Sequence, residues 1–134
     1  MTVLVDSNVL LDVATEDARW GEWSSSALAN VADTEPLAIN PLIYAEVSIR
    51  YETIEELEEV LPAEAFRREA LPYEAGFLAG KAFLAYRRRG GRRSSPLPDF
   101  YIGAHAAVAG YRLLTRDASR YRTYYPSLDL IDPS

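Results

Sequence analysis

The chain has 134 residues, 49% apolar and 25% charged. That ordinary globular composition excludes a disordered chain, a collagen-like repeat and a disulfide miniprotein. With no Cys and a single histidine, His105, there is no structural disulfide, thiolate zinc site, cysteine nucleophile or multi-histidine metal site, and a net charge of −6 argues against a general nucleic-acid coat protein.

Thr2–Val5 is a short apolar run rich in β-branched residues and is expected to be a buried strand. Asp6-Ser7-Asn8 ends it and offers helix-capping side chains, so Val9–Ala14 is expected as a helix, followed by a second from Glu22 to Val31. Leu37–Ile39 is a second strand. Asn40-Pro41 places a cap before a proline at the first helical position and opens a helix to Tyr51. Thr53-Ile54-Glu55-Glu56 has the capping-box pattern and starts an acidic helix ending at Leu61.

A longer helix, Tyr73 to Arg89, is closed by Gly90-Gly91. A polar loop, Arg92 to Pro96, leads to a helix from Pro98 to Ala109. Arg112–Thr115 and Leu128–Ile131 are the third and fourth strands. Strands alternating with helices favour an α/β fold: a central, mostly parallel sheet of four to five strands with helices on both sides. No repeat or linker divides the chain, so one domain over 1–134 is expected. The longest apolar run without charge, Phe100 to Tyr111, is twelve residues and too short to cross a bilayer. The N-terminus has no signal-peptide pattern. The expectation is a cytoplasmic protein with no membrane partner.

Four acids carry the chemistry. Asp6 follows the first strand, and Asp117 lies two residues beyond the third. Asp99 sits in the first turn of its helix, and Glu46 lies within two turns of the start of the helix after the second strand. In a parallel sheet the strand C-termini and the following helix N-termini share one end, so all four are expected there. Glu46 is flanked on its own face by Leu42, Ile43 and Ile49, with Val47 beside them, which points it toward the core. A buried carboxylate needs a cation or a hydrogen-bond partner. Each acid also has a plain structural explanation: a helix cap for Asp6, the helix dipole for Asp99, a turn for Asp117 and an arginine ion pair for Glu46.

Crowded carboxylates repel one another and are compensated by hard divalent cations such as Mg²⁺ or Mn²⁺. One or two such ions lower the pKa of water and steady the charge on a phosphodiester during in-line displacement. Ser7, Asn8 and Thr115 are expected to orient ligands or water around that cluster.

Val3–Asp12, Asn40–Glu46, Pro98–Ala106 and Leu114–Tyr121, in this order and spacing, resemble the PIN-domain family and most closely its VapC-type toxin ribonucleases. Ser7 stands where that family often has Thr. The resemblance implies a PIN-like three-layer sandwich with Asp6, Glu46, Asp99 and Asp117 as the catalytic, metal-binding acids. It also implies Mg²⁺- or Mn²⁺-dependent cleavage of an RNA substrate, a homodimer and a small cognate antitoxin. The alternative is a non-catalytic domain that keeps the fold, its acids serving as caps and ion pairs. A phospho-aspartate receiver or phosphatase ranks below both, because Lys81, the one lysine, has no strand-end context.

The charge is unevenly spread: residues 1–64 carry 14 acids and 2 bases, residues 65–134 carry 6 acids and 12 bases. Arg87, Arg88, Arg89, Arg92 and Arg93 flank the loop leading to Asp99. They are expected either to contact RNA phosphates or a partner or to be a solvated helix end; Arg112, Arg116, Arg120 and Arg122 extend the same face. Thirteen of the 14 bases are Arg, which suits phosphate contacts, although genome composition produces the same bias. His105 lies about 120° around its helix from Asp99, so a structural or surface role is expected. Asp12 is expected on a helix surface. Gly76 and Gly80 suggest close helix packing, within the chain or across a dimer.

Overall fold

The computed structural model describes residues 1–93 and 97–133; the expected polar loop therefore lies partly outside the described residues. In chain order the elements are β1 (Val3–Val5), α1 (Ser7–Ala14), α2 (Gly21–Ala32), β2 (Leu37–Ile39), α3 (Pro41–Ser48) and α4 (Ile54–Val60). They continue with β3 (Phe66–Arg68), α5 (Tyr73–Arg88), α6 (Pro98–Ala109), β4 (Arg112–Leu114), α7 (Ser119–Tyr124) and β5 (Leu130–Ile131). The five strands form one sheet in the order β3-β2-β1-β4-β5, every pair parallel. All three residues of β1 and of β2 are buried. A strand buried along its whole length must be covered on both faces, which the flanking helices do.

Local signals place most boundaries. Asn40 Oδ1 accepts from the Ile43 amide, and Pro41 supplies the first helical residue of α3. Thr53 and Glu56 close a reciprocal capping box at α4. Gly90, with φ of 92°, follows the end of α5. At Gly103 a Cβ would fall 2.6 Å from the Tyr125 ring, so only glycine lets α6 approach so closely.

Several expectations need correction. The helix of Asn40-Pro41 ends at Ser48 rather than Tyr51, and Ile49 turns outward, 86% exposed, instead of facing the core. Asp12 is buried, not on the surface: it accepts from Ser24 Oγ (2.8 Å) and Arg116 Nε (3.0 Å). β3 and α7 had no counterpart in the sequence reading. Gly76 and Gly80 pack against nothing within the described chain, since a Cβ at either meets no atom within 4 Å.

The order of the strands fixes where chemistry can occur. The chain leaves β1 toward β2 and β3 on one side and returns to β4 and β5 on the other. β1 and β4 therefore flank the point where the winding reverses, the usual ligand position in an open parallel sheet.

Candidate active site

Asp6 stands at that reversal. Its amide donates to Leu114 O (2.9 Å), which ties the end of β1 to β4. Its backbone is extended and it holds the cap position of α1, yet its side chain makes no cap hydrogen bond. The carboxylate is only 2% exposed. Its Oδ2 accepts from the Tyr121 hydroxyl (2.8 Å) and the Thr115 hydroxyl (2.9 Å), and more distantly from Asn8 Nδ2 (3.4 Å). Helix capping therefore does not explain this residue. Burial pushes its pKa up to about 6, the Tyr121 hydrogen bond opposes the rise, and the charges of Asp99 and Glu46 add to it.

Ser7 joins two of the acids. Its Oγ donates to Glu46 Oε1 at 2.8 Å and lies 3.5 Å from Asp6 Oδ1. Glu46 is half-buried, and among the described residues no arginine pairs with it, so the expected ion pair is not its explanation. Burial raises its pKa, the Ser7 hydrogen bond lowers it, and Asp99 raises it further. Asp99, also half-buried, has its Oδ2 3.5 Å from Arg120 Nη1. Its pKa is raised by burial, with Arg120 pulling it down and Asp117 pushing it up.

Asp117 differs from the other three. It is exposed, its amide donates to Thr115 Oγ1 (3.2 Å), and its Oδ1 accepts from Ser119 Oγ (3.2 Å). That is a turn-forming role, and its charge bears on Asp99. Asn8 and Thr115 meet beside Asp6: Asn8 Nδ2 donates to Thr115 Oγ1 (3.1 Å), and Asn8 Oδ1 accepts from the Arg116 amide (3.2 Å). Among the described residues, no three His, Cys, Asp or Glu side chains are arranged to hold an ion. The acids lie within electrostatic reach of one another without converging, as like charges do when only hydroxyls and one guanidinium stand between them.

The basic residues divide. Arg87, Arg88, Arg89, Arg92 and Arg93 are exposed. Arg116 is committed to Asp12 and lies over the Trp20 ring (5.8 Å). His105 is buried against Asn40 Nδ2 (3.0 Å), its pKa lowered by burial and partly restored by Glu69. It is a core residue, the structural of its two expected roles and not the surface one. The sequence reading missed Tyr121 as a functional residue. Its hydroxyl, held protonated because burial raises its pKa well above 10, is the shortest hydrogen bond to Asp6. Arg120 was seen only as part of a basic face. No sequence signal marks either pairing, because the partners lie 115 and 21 residues away.

No curated protein matches this sequence significantly. Solved structures share its fold. VapBC2 from Rickettsia felis, bound to a DNA fragment from their promoter, superposes with a TM-score of 0.75 at 16% identity, covering 100% of both chains. VapBC-1 from nontypeable Haemophilus influenzae gives 0.74 at 16% identity over 98% of each. A toxin–antitoxin complex from Klebsiella pneumoniae gives 0.67 at 19% identity over 98% of each. At such identities the likeness is one of fold. The sequence itself is more specific, for residues 3–124 match the family model described as PIN domain, and on that match the chain belongs to the PIN-domain family.

Proposed function

We propose that this chain is a metal-dependent endoribonuclease, a single PIN-like domain acting as the toxin of a toxin–antitoxin pair. The observation that carries the reading is Asp6: a carboxylate buried at the reversal point of the sheet, unused as a cap, and within electrostatic reach of two further acids. Burial of an anion is costly, and the charges bearing on this one are both negative. The donor set is oxygen-only and carboxylate-rich, which fits Mg²⁺ or Mn²⁺ and no softer metal. Asp6, Glu46 and Asp99 would hold the ion, with Asp117 at the outer edge. When bound, it supplies a nucleophile at neutral pH and neutralises charge on the phosphodiester.

The chain's own residues do the positioning. Thr115 and Tyr121 occupy Oδ2 of Asp6, fixing its plane, and leave Oδ1 toward Glu46. Ser7 spends its proton on Glu46 and so keeps that side chain against Asp6. Asn8 orients the Thr115 hydroxyl. Arg87, Arg88, Arg89, Arg92 and Arg93 provide a cationic approach for the RNA backbone; such contacts position the strand without reading sequence. Arg116, held by Asp12, is a weaker contact. A cytoplasmic location and a small antitoxin as partner complete the proposal. Among the described residues no helix is long and apolar enough to cross a membrane. The outer face of α5, with Tyr73 96% and Phe77 70% exposed beside the uncovered Gly76 and Gly80, supports a homodimer.

Purified protein incubated with total RNA should cut it in Mn²⁺ and not in chelator. The Asp99→Asn variant should be inactive; cutting at the parent's rate would overturn the mechanism. The alternative, a non-catalytic interaction domain, draws on one observation: Arg120 already supplies Asp99 with a counter-charge. A Mn²⁺ titration separates the two, since an interaction domain would show no binding that depends on Asp6 and Asp99.

A further inference from the structure

Between the C-terminal part of α5 and α7, beside the acids, lies an open cleft of about 210 Å³ lined by Tyr86, Ser119, Arg120, Thr123 and Tyr124. Its floor is aromatic. Tyr86 and Tyr124 each meet Phe100 edge to face, with centroids 5.6 and 5.4 Å away, and approach each other at 6.4 Å. Both tyrosines are half-buried, so each closes the core on one side and meets the cleft on the other. The walls are cationic. The Arg120 guanidinium lies over Tyr86 (5.8 Å) and Phe100 (5.6 Å), and Arg89 lies over Tyr124 (5.5 Å).

The cleft also begins where the acids end, because Arg120 Nη1 is 3.5 Å from Asp99 Oδ2. Among the described residues Arg89 has no carboxylate partner, so its charge is available to a ligand. Two of the lining hydroxyls are engaged by the chain: Ser119 Oγ donates to Asp117, and Thr123 Oγ1 donates to Ser119 O (3.0 Å). The pocket thus offers chiefly rings and positive charge.

Resting on the nuclease reading above, we propose that this cleft is a subsite for one unpaired nucleotide next to the scissile phosphate. Its base stacks on Tyr124, with Tyr86, inclined at 67° to that ring, closing the side, and its phosphate is held by Arg89 and Arg120. Rings alternating with arginines are how single strands are gripped without sequence preference, since every base has a π-face. A base inside a duplex has already spent both faces on its neighbours. The site therefore takes a base only from an unpaired strand.

The test is binding of a fluorescein-labelled unstructured RNA to the full chain without divalent ions, by anisotropy, beside the same strand annealed to its complement. The single strand should bind more tightly than the duplex. Tyr124→Leu should weaken it about tenfold, the scale of one lost stack, and Arg89→Gln about threefold. Arg50→Gln, an equal charge change on an exposed residue remote from the cleft, should leave it unchanged. Should Tyr124→Leu melt early, Arg89→Gln decides against Arg88→Gln, an exposed neighbour over no cleft ring: a loss no larger at Arg89 than at Arg88 overturns the subsite. Mn²⁺-dependent cleavage run in parallel separates the two readings. A parent that cuts RNA, yet binds with no loss in either variant or grips duplex equally well, overturns the subsite and leaves the nuclease standing. The expected binding pattern without any cleavage supports the subsite and removes the nuclease, and a parent that neither binds nor cuts removes both.

Discussion

At the end of β1, Asp6 is 2% exposed and takes hydroxyl hydrogen bonds from two other elements, whereas across the site Asp99 is half-buried under an arginine and Asp117 is exposed in a turn. The first side is built in advance. Its donors come from β4's end and α7, so the carboxylate's position is set when the sheet closes. The second side is held by a long, partly exposed guanidinium that can move without disturbing the core. The contrast shows where folding energy has been spent. Holding Asp6 at about 6 against an ordinary value near 3.8 corresponds to roughly 3 kcal/mol at neutral pH. Nothing in packing demands that cost, and a cation would relieve it.

The largest effect should follow from neutralising the prepared side. Asp6→Asn should lower Mn²⁺-dependent cleavage by about 100-fold or more, beyond what loss of a merely supporting hydrogen bond costs. Asp117→Asn should change it only a few-fold. At pH 7 and without metal, Asp6→Asn should also melt several degrees above the parent in calorimetry, because it removes a buried charge. The pH dependence follows with opposite signs. The folded state binds the Asp6 proton more tightly than the unfolded chain. Asp6's contribution to metal-free stability is therefore complete below pH 3.8 and is lost as pH rises through about 6. Metal affinity and cleavage should instead rise through about pH 6, as the carboxylate gives up that proton. Equal losses at Asp6 and Asp117, or a parent whose metal-free melting temperature does not fall between pH 4 and 7, would break the contrast.

Next in size is Tyr121→Phe, which keeps the ring and removes the donor. Mn²⁺ affinity should fall about tenfold. The acid limb of the cleavage profile should move to higher pH, because the Tyr121 hydrogen bond is what restrains the rise of the Asp6 pKa. A lower affinity with an unmoved limb would mean that Tyr121 supports the fold and not the carboxylate.

Much of this architecture is written locally. The β-branched run before Asp6, the proline after Asn40, the Thr53–Glu56 box and the glycines after α5 each act within a few residues, and each marks its boundary. β3 is not readable that way. Phe66-Arg67-Arg68 is an edge strand whose two arginines are exposed, so it lacks the apolar run of β1 and β2. α7, six residues long with no side-chain cap, carries too little periodicity to be seen. The positions of Asp6 and Asp99 at one end of the sheet followed from strand alternation alone. What holds them did not: Thr115, Tyr121 and Arg120 reach them from other elements across long stretches of chain. Asp12 makes the same point in reverse. It reads as a surface acid until α2 folds back to bring Ser24 against it and the end of β4 brings Arg116.

The smallest effect tests the adjustable side directly. Arg120 stands on Asp99 as the chain's own counter-charge, so it competes with an added cation for the same oxygen. Arg120→Gln removes the competitor. Because the pair is partly exposed and screened by water, Mn²⁺ should bind only about threefold more tightly. Single-stranded RNA should bind less well at the same time, since the same guanidinium lines the aromatic cleft. Opposite movement of the two affinities in one variant, read by Mn²⁺ titration and by anisotropy, is the signature of a side chain shared between the acid and the phosphate. If both fall together, Arg120 organises Asp99 in place, and the two sides of the site are equally rigid.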